Sequence, residues 1–260
     1  MTSAALTTFL QGLLLVGSAF MAVKLVTTGL YKKYPFFFAY FVFRVPNSLW
    51  PLLTDFRSDT YFYAYMFTLP ITVVFYVLLV MELYRLVLAD YKGLQSAGRW
   101  AMYASLAGAL VISVLTLIPK ITPTMAQRSK AVGLVAFSER GVYTALALFI
   151  ILLLAILSRY PIQLRRNVRV HAVIYSIFFL SGGVVMLIRA VLGLKDVTMV
   201  NLLSTVINLA CVFSWLILLK PAGEAVAQRT VASNSHEERL MLQLEGLNAA
   251  LLRVSRTKMG

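Results

Sequence analysis

The stretch FVFRVPNSL, residues 41–49, sets a guanidinium, a proline and a carboxamide within four positions inside a run of aromatic and aliphatic side chains. An arginine in such surroundings needs polar company, and Asn47 lies one turn on, while Pro46 cannot donate a hydrogen bond and frees a carbonyl upstream. Further along, Thr68, Glu139, Arg140, Arg189, Asn201 and Asn208 are candidate polar partners at the edges or in the middle of apolar stretches. Three arginines against one glutamate would favour an anionic or carboxylate-bearing ligand. Whether these eight residues meet depends on the elements that carry them.

Those elements follow from composition. Of 260 residues, 60% are hydrophobic and 13% charged, with a mean hydropathy of +0.82, whereas soluble domains carry roughly 25% charged residues. So little polar surface could not cover a water-soluble core, and the uncharged runs are long enough for a bilayer about 30 Å thick. Residues 1–23, 34–54, 60–81, 100–119, 141–158, 170–188 and 197–219 read as seven membrane-spanning helices, the second carrying Arg44. Helices are required because lipid offers backbone groups no other partner. The expected fold is therefore an all-α, seven-helix transmembrane bundle over residues 1–220, with a linker at 221–235 and a short helix at 236–260.

Basic residues set the orientation, since they are retained on the cytoplasmic side. Lys24, Lys32 and Lys33 follow span one, Arg85, Lys92 and Arg99 span three, Arg159, Arg165, Arg166 and Arg169 span five, and Lys220 and Arg229 span seven. Fewer lie on the opposite face: Arg57, Lys120, Arg128, Lys130 and Lys195. The amino terminus is expected outside and the carboxyl terminus inside. The first span is not read as a cleaved leader, because residues 1–6 lack the positive charge of one.

With that frame, position converts to depth. Arg44 comes ten residues after the start of span two at Tyr34, roughly 15 Å in and near the midplane, where a charge costs about 2.5–3.5 kcal/mol on insertion scales. A polar pocket in the outer half, lined by Arg44, Asn47, Thr68, Glu139, Arg140, Arg189 and Asn201 with Asn208 at its floor, would accommodate it. The same residues also fit a structural role, with Arg44 and Asn208 joining helices and Glu139 paired with Arg189 near the headgroups. Small residues at four-residue spacing, Ala104 with Gly108 and Ala172 with Ser176, suit close helix packing, as do Gly182 and Gly183.

Several chemistries are excluded or lack support. The single cysteine, Cys211, precludes an internal disulfide or thiolate cluster, and neither of the two histidines, His171 and His236, lies mid-span to hold a haem. No lysine sits in the last span, and no phosphate-cradling loop, HExxH or GxSxG occurs. No catalytic residue, metal or cofactor is expected. The net charge of +14 is spread through short loops beside spans, which fits anionic lipid headgroups rather than nucleic acid.

In the tail, Ser235 and Glu238 have capping-box spacing, and Leu240, Leu244, Leu247, Leu251 and Val254 repeat at four and three. That seam fits pairing with a second copy or a protein partner. A helix lying on the inner leaflet is the other reading.

YPFFFAYFVFR at 34–44, MELYRLVLADYKGL at 81–94 and LEGLNAALLR at 244–253 resemble the seven-helix sensory modules of bacterial membrane receptors, and more closely bacterial seven-helix inner-membrane proteins ending in a short cytoplasmic helix. The resemblance implies a multi-pass inner-membrane protein that senses or relays a signal to a partner, and not an enzyme. An accessory subunit of a larger membrane assembly and a small transporter using Glu82 and Glu139 are the competing expectations.

Overall fold

The computed structural model describes residues 3–54, 58–89, 91, 100, 103, 107, 141–155, 164–192, 197–224, 242–243, 245–246 and 248–250, without the side chains of 3–4, 186–187, 189–192 and 197–198. Among them every regular element is helical: α1 (Ser3–Thr27), α2 (Pro35–Leu53), α3 (Asp59–Val87), α4 (Gly141–Ala155), α5 (Arg166–Leu192) and α6 (Val197–Leu218), with 3₁₀ turns at Leu30–Lys32 and Pro221–Glu224. Four segments, Ala5–Thr27, Asp59–Val87, Arg166–Val185 and Met199–Leu218, are long and apolar enough to cross a membrane. Of the fourth sequence-expected span, 100–119, only residues 100, 103 and 107 are described, and the tail seam residues Leu240, Leu244, Leu247, Leu251 and Val254 lie outside the described residues.

Local chemistry sets the element ends. α1 stops where Gly29 adopts φ +70°, the left-handed conformation that a residue with a Cβ resists. α2 opens with Pro35, whose missing N–H is no loss in a first turn. Ser58 caps α3 by accepting from the Tyr61 N–H at 3.1 Å, with Asp59 beside it at the positive end of the helix. α2 continues through Pro46 and Pro51, and α3 through Pro70.

Three helices extend past charges that hydropathy treats as boundaries. α1 continues through Lys24, α3 through Glu82 and Arg85, and α5 starts at Arg166 rather than at 170. The reason is tertiary: Lys24 and Glu82 find partners on neighbouring helices at one end of the bundle.

α1 packs on α2 and α6, α6 on α5, and α3 on α2 and α5. Ring pairs set the direction of α4: Tyr143 meets Tyr76 at 5.3 Å and Phe149 meets Tyr84 at 5.3 Å, so α3 and α4 run in the same sense. The last residues of α1, α3 and α6 and the first of α2 and α5 gather at one end, here termed the basic end.

The tightest core lies in that half of the molecule. Phe37 is its hub, with ring centroids 4.9 Å from Phe41, 4.6 Å from His171 and 5.2 Å from Trp215. Tyr34, Leu25, Leu83 and Leu88 belong to the same buried cluster, all essentially inaccessible. Outward faces carry Phe20, Phe67, Val173, Ile177, Val184 and Ile217, a surface that water would penalise and acyl chains would not. Between helices in lipid the association comes from van der Waals packing rather than from escape from water. Small residues permit it: a Cβ on Gly17 would stand 3.2 Å from Val212, and one on Gly182 2.5 Å from the Tyr143 ring. Ala172 and Ser176, expected to allow close approach, are both buried.

Candidate functional site

The densest polar cluster among the described residues is built on Glu224, the last residue of the 3₁₀ turn after α6. This turn opens the segment that the sequence reads as a linker, and it is docked against the bundle. Asn167, fully buried in the first turn of α5, holds it by three bonds: Nδ2 donates to the Lys220 carbonyl at 2.8 Å and to Glu224 Oε1 at 2.7 Å, while Oδ1 accepts from the Lys220 N–H at 3.3 Å. Tyr34, at the entry to α2, donates its hydroxyl proton to the same Oε1. Glu224 Oε2 faces Lys33 Nζ at 3.3 Å and Arg165 Nη1 at 3.6 Å. One carboxylate therefore ties the root of the C-terminal segment to α2 and α5.

Its ionisation follows from those contacts. Burial pushes the Glu224 carboxyl up, but the hydrogen bonds from Tyr34, Asn167 and Lys33 and the Lys33 charge outweigh it, holding the group below its ordinary value. Glu224 is thus a carboxylate at neutral pH.

Two further contacts brace the same end. Lys24 on α1 donates to the carbonyls of Leu216 and, at 2.6 Å, Leu219, satisfying acceptors that the end of α6 leaves open. Glu82 on α3 accepts from the N–H groups of Phe36 and Phe37, both at 3.0 Å, placing a carboxylate on the open donors at the start of α2. His171 sits behind, its ring centroid 4.6 Å from those of Tyr34 and Phe37 and 5.6 Å from that of Tyr175. Neither of its nitrogens has a hydrogen-bond partner among the described residues.

The Arg44 layer is arranged differently. Arg44 is buried, its Nη1 donates to Tyr40 Oη one turn earlier, and its guanidinium lies 5.4 Å from the Tyr40 ring centroid. Asn47 accepts from Trp50 Nε1 at 3.1 Å, Asn208 donates to the Ser204 carbonyl at 3.1 Å, and Thr68 to the Tyr65 carbonyl at 3.5 Å. Asn201 is exposed. Each of those bonds stays within one helix, and among the described residues none links Arg44, Asn47 and Asn208. Arg189 lies on α5 without a described side chain, and Glu139 and Arg140 lie outside the described residues, as do Leu240, Leu244, Leu247, Leu251 and Val254.

Sequence reasoning missed the Glu224 cluster. The available signal was a lone acid in a segment flanked by basic loops, together with an asparagine inside RRNVR at 165–169. Among the described residues no group of three His, Cys, Asp or Glu side chains could hold a metal ion, and Cys211 is a buried free thiol. No family model matches the chain, and none of the curated proteins or solved structures compared with it matches either.

Proposed function

We propose that the chain is a multi-pass protein of a bacterial inner membrane that senses or relays a signal, with the Glu224 clasp as the joint between the bundle and the C-terminal segment. The observation that carries this reading is that one carboxylate at the root of that segment is held at once from α2 and from α5. Any relative shift of those helices changes how many of its partners Glu224 keeps, and so changes how the following chain is launched. The Arg44 layer is the candidate input, its buried guanidinium the charge that an anionic ligand entering the outer half would meet.

Seven crossings, with the amino terminus outside and the carboxyl terminus inside, complete the proposal. The common direction of α3 and α4 supports it, because the chain between them must return from one end of the bundle to the other and 100–119 is an uncharged stretch of suitable length. Lys24, Lys33, Arg85, Arg165 and Lys220 gathering at one end supports the stated orientation.

Copurification from gently solubilised membranes tests the reading. The relay calls for self-association, or recovery of a signalling partner, that deletion of 236–260 abolishes and Glu224→Gln weakens. Stoichiometric recovery with a large membrane assembly would instead make the chain an accessory subunit. Substrate uptake in liposomes would make it a transporter.

A further inference from the structure

A cleft of about 390 Å³ opens between the entry to α2 and the last turns of α3, lined by Lys32, Lys33, Pro35, Phe36, Glu82, Arg85, Leu86 and Ala89. Among the described residues that line it, three cationic side chains face one carboxylate, Glu82, which accepts from the Phe36 and Phe37 N–H groups. Its electrostatic character is therefore cationic. Lys32, Arg85 and Ala89 are exposed, and Phe36 and Leu86 supply an apolar wall. Tyr31 and Tyr91, aromatic residues of the kind that sit at headgroup level, belong to the same end.

We infer that this cleft binds the phosphate of an anionic lipid headgroup, with Lys32, Lys33 and Arg85 as its ligands. Charge selects the phosphate, because a zwitterionic headgroup brings its own cation to a site that already holds three. The apolar wall selects a lipid over a free ion: acyl chains leaving the headgroup meet Phe36 and Leu86, whereas inorganic phosphate gains nothing there. The site goes beyond the relay reading and does not depend on it.

The test uses the full chain in nanodiscs of phosphatidylcholine containing increasing fractions of phosphatidylglycerol, read by the midpoint of thermal unfolding. The expected result is a saturable rise in midpoint at a low phosphatidylglycerol fraction. Lys32→Gln with Arg85→Gln should raise the half-saturating fraction roughly 30-fold, at about 1 kcal/mol per basic residue and tenfold per 1.4 kcal/mol. Arg166→Gln with Arg169→Gln, two exposed positions on α5 outside the cleft, should follow the wild type. Ala89→Trp, which crowds the cleft and removes no charge, should weaken the response too, and it serves if the first pair fails to fold. Equal stabilisation in pure phosphatidylcholine, full replacement by inorganic phosphate, or matching losses in the two double variants would each overturn the assignment. Tail-dependent association is read separately, so failure here and failure of the relay are distinguishable.

Discussion

Gly223 lies against Asn167 so closely that a Cβ at 223 would stand 2.2 Å from Asn167 Oδ1. The contact explains why the turn after α6 can settle on the first turn of α5: only a residue without a side chain leaves room for the carboxamide that holds Lys220 and Glu224.

Gly223→Ala should therefore displace Asn167 and cost about 1–3 kcal/mol, the usual range for overpacking a filled site. Thermal unfolding in detergent measures it. In a double-mutant cycle, adding Asn167→Ala should make little further difference, because the alanine has already cost Asn167 its bonds. Full additivity would show that the two residues do not act together.

The clasp has a pH signature. Glu224 is held below its ordinary value when folded, so the stability it supplies is complete above the unfolded carboxylate value of about 4.3 and disappears as pH falls through the lower, folded value. Wild-type protein should lose stability on acidification below about pH 5 more steeply than Glu224→Gln. Parallel acid-unfolding curves would contradict this.

Gly182 and Gly183 are neighbours with opposite prospects. A Cβ on Gly182 would come within 2.5 Å of the Tyr143 ring, whereas nothing lies within 4 Å of one on Gly183. Gly182→Ala should destabilise by about 1–3 kcal/mol. Gly183→Ala should be neutral or stabilising by up to about 1 kcal/mol, from the entropy an unfolded glycine loses. Equal unfolding midpoints for the two variants would refute the packing described at α4.

Arg44 and Tyr40 offer an asymmetric test. Tyr40→Phe removes the hydroxyl that accepts from Arg44 and leaves a buried donor unpaired, which costs about 1–3 kcal/mol or more for a charged group. Arg44→Leu removes the charge itself and should be tolerated better, with Arg44→Leu/Tyr40→Phe close to the single leucine variant. If Arg44→Leu fails to accumulate while Tyr40→Phe is unaffected, the guanidinium holds the bundle through contacts other than Tyr40.

The sequence by itself determined the class of structure: a helical chain with segments long and apolar enough for a bilayer, recognisable because a run of some 20 uncharged residues has few other uses. It also singled out Arg44, since the insertion cost of a charge can be reckoned from one residue and its depth. What it could not supply was the partner of each charge. Tyr34 and Glu224 are separated by 190 positions, Lys24 and Leu219 by 195, and Phe37 and Glu82 by 45. Hydropathy therefore treated Lys24 and Glu82 as span boundaries and the residues from Pro221 to Glu224 as linker. Only the packed bundle decides these, because a charge is stable at a helix end when folding delivers open backbone groups or an opposite charge to it, and that delivery is a property of three-dimensional proximity with no counterpart in local order along the chain.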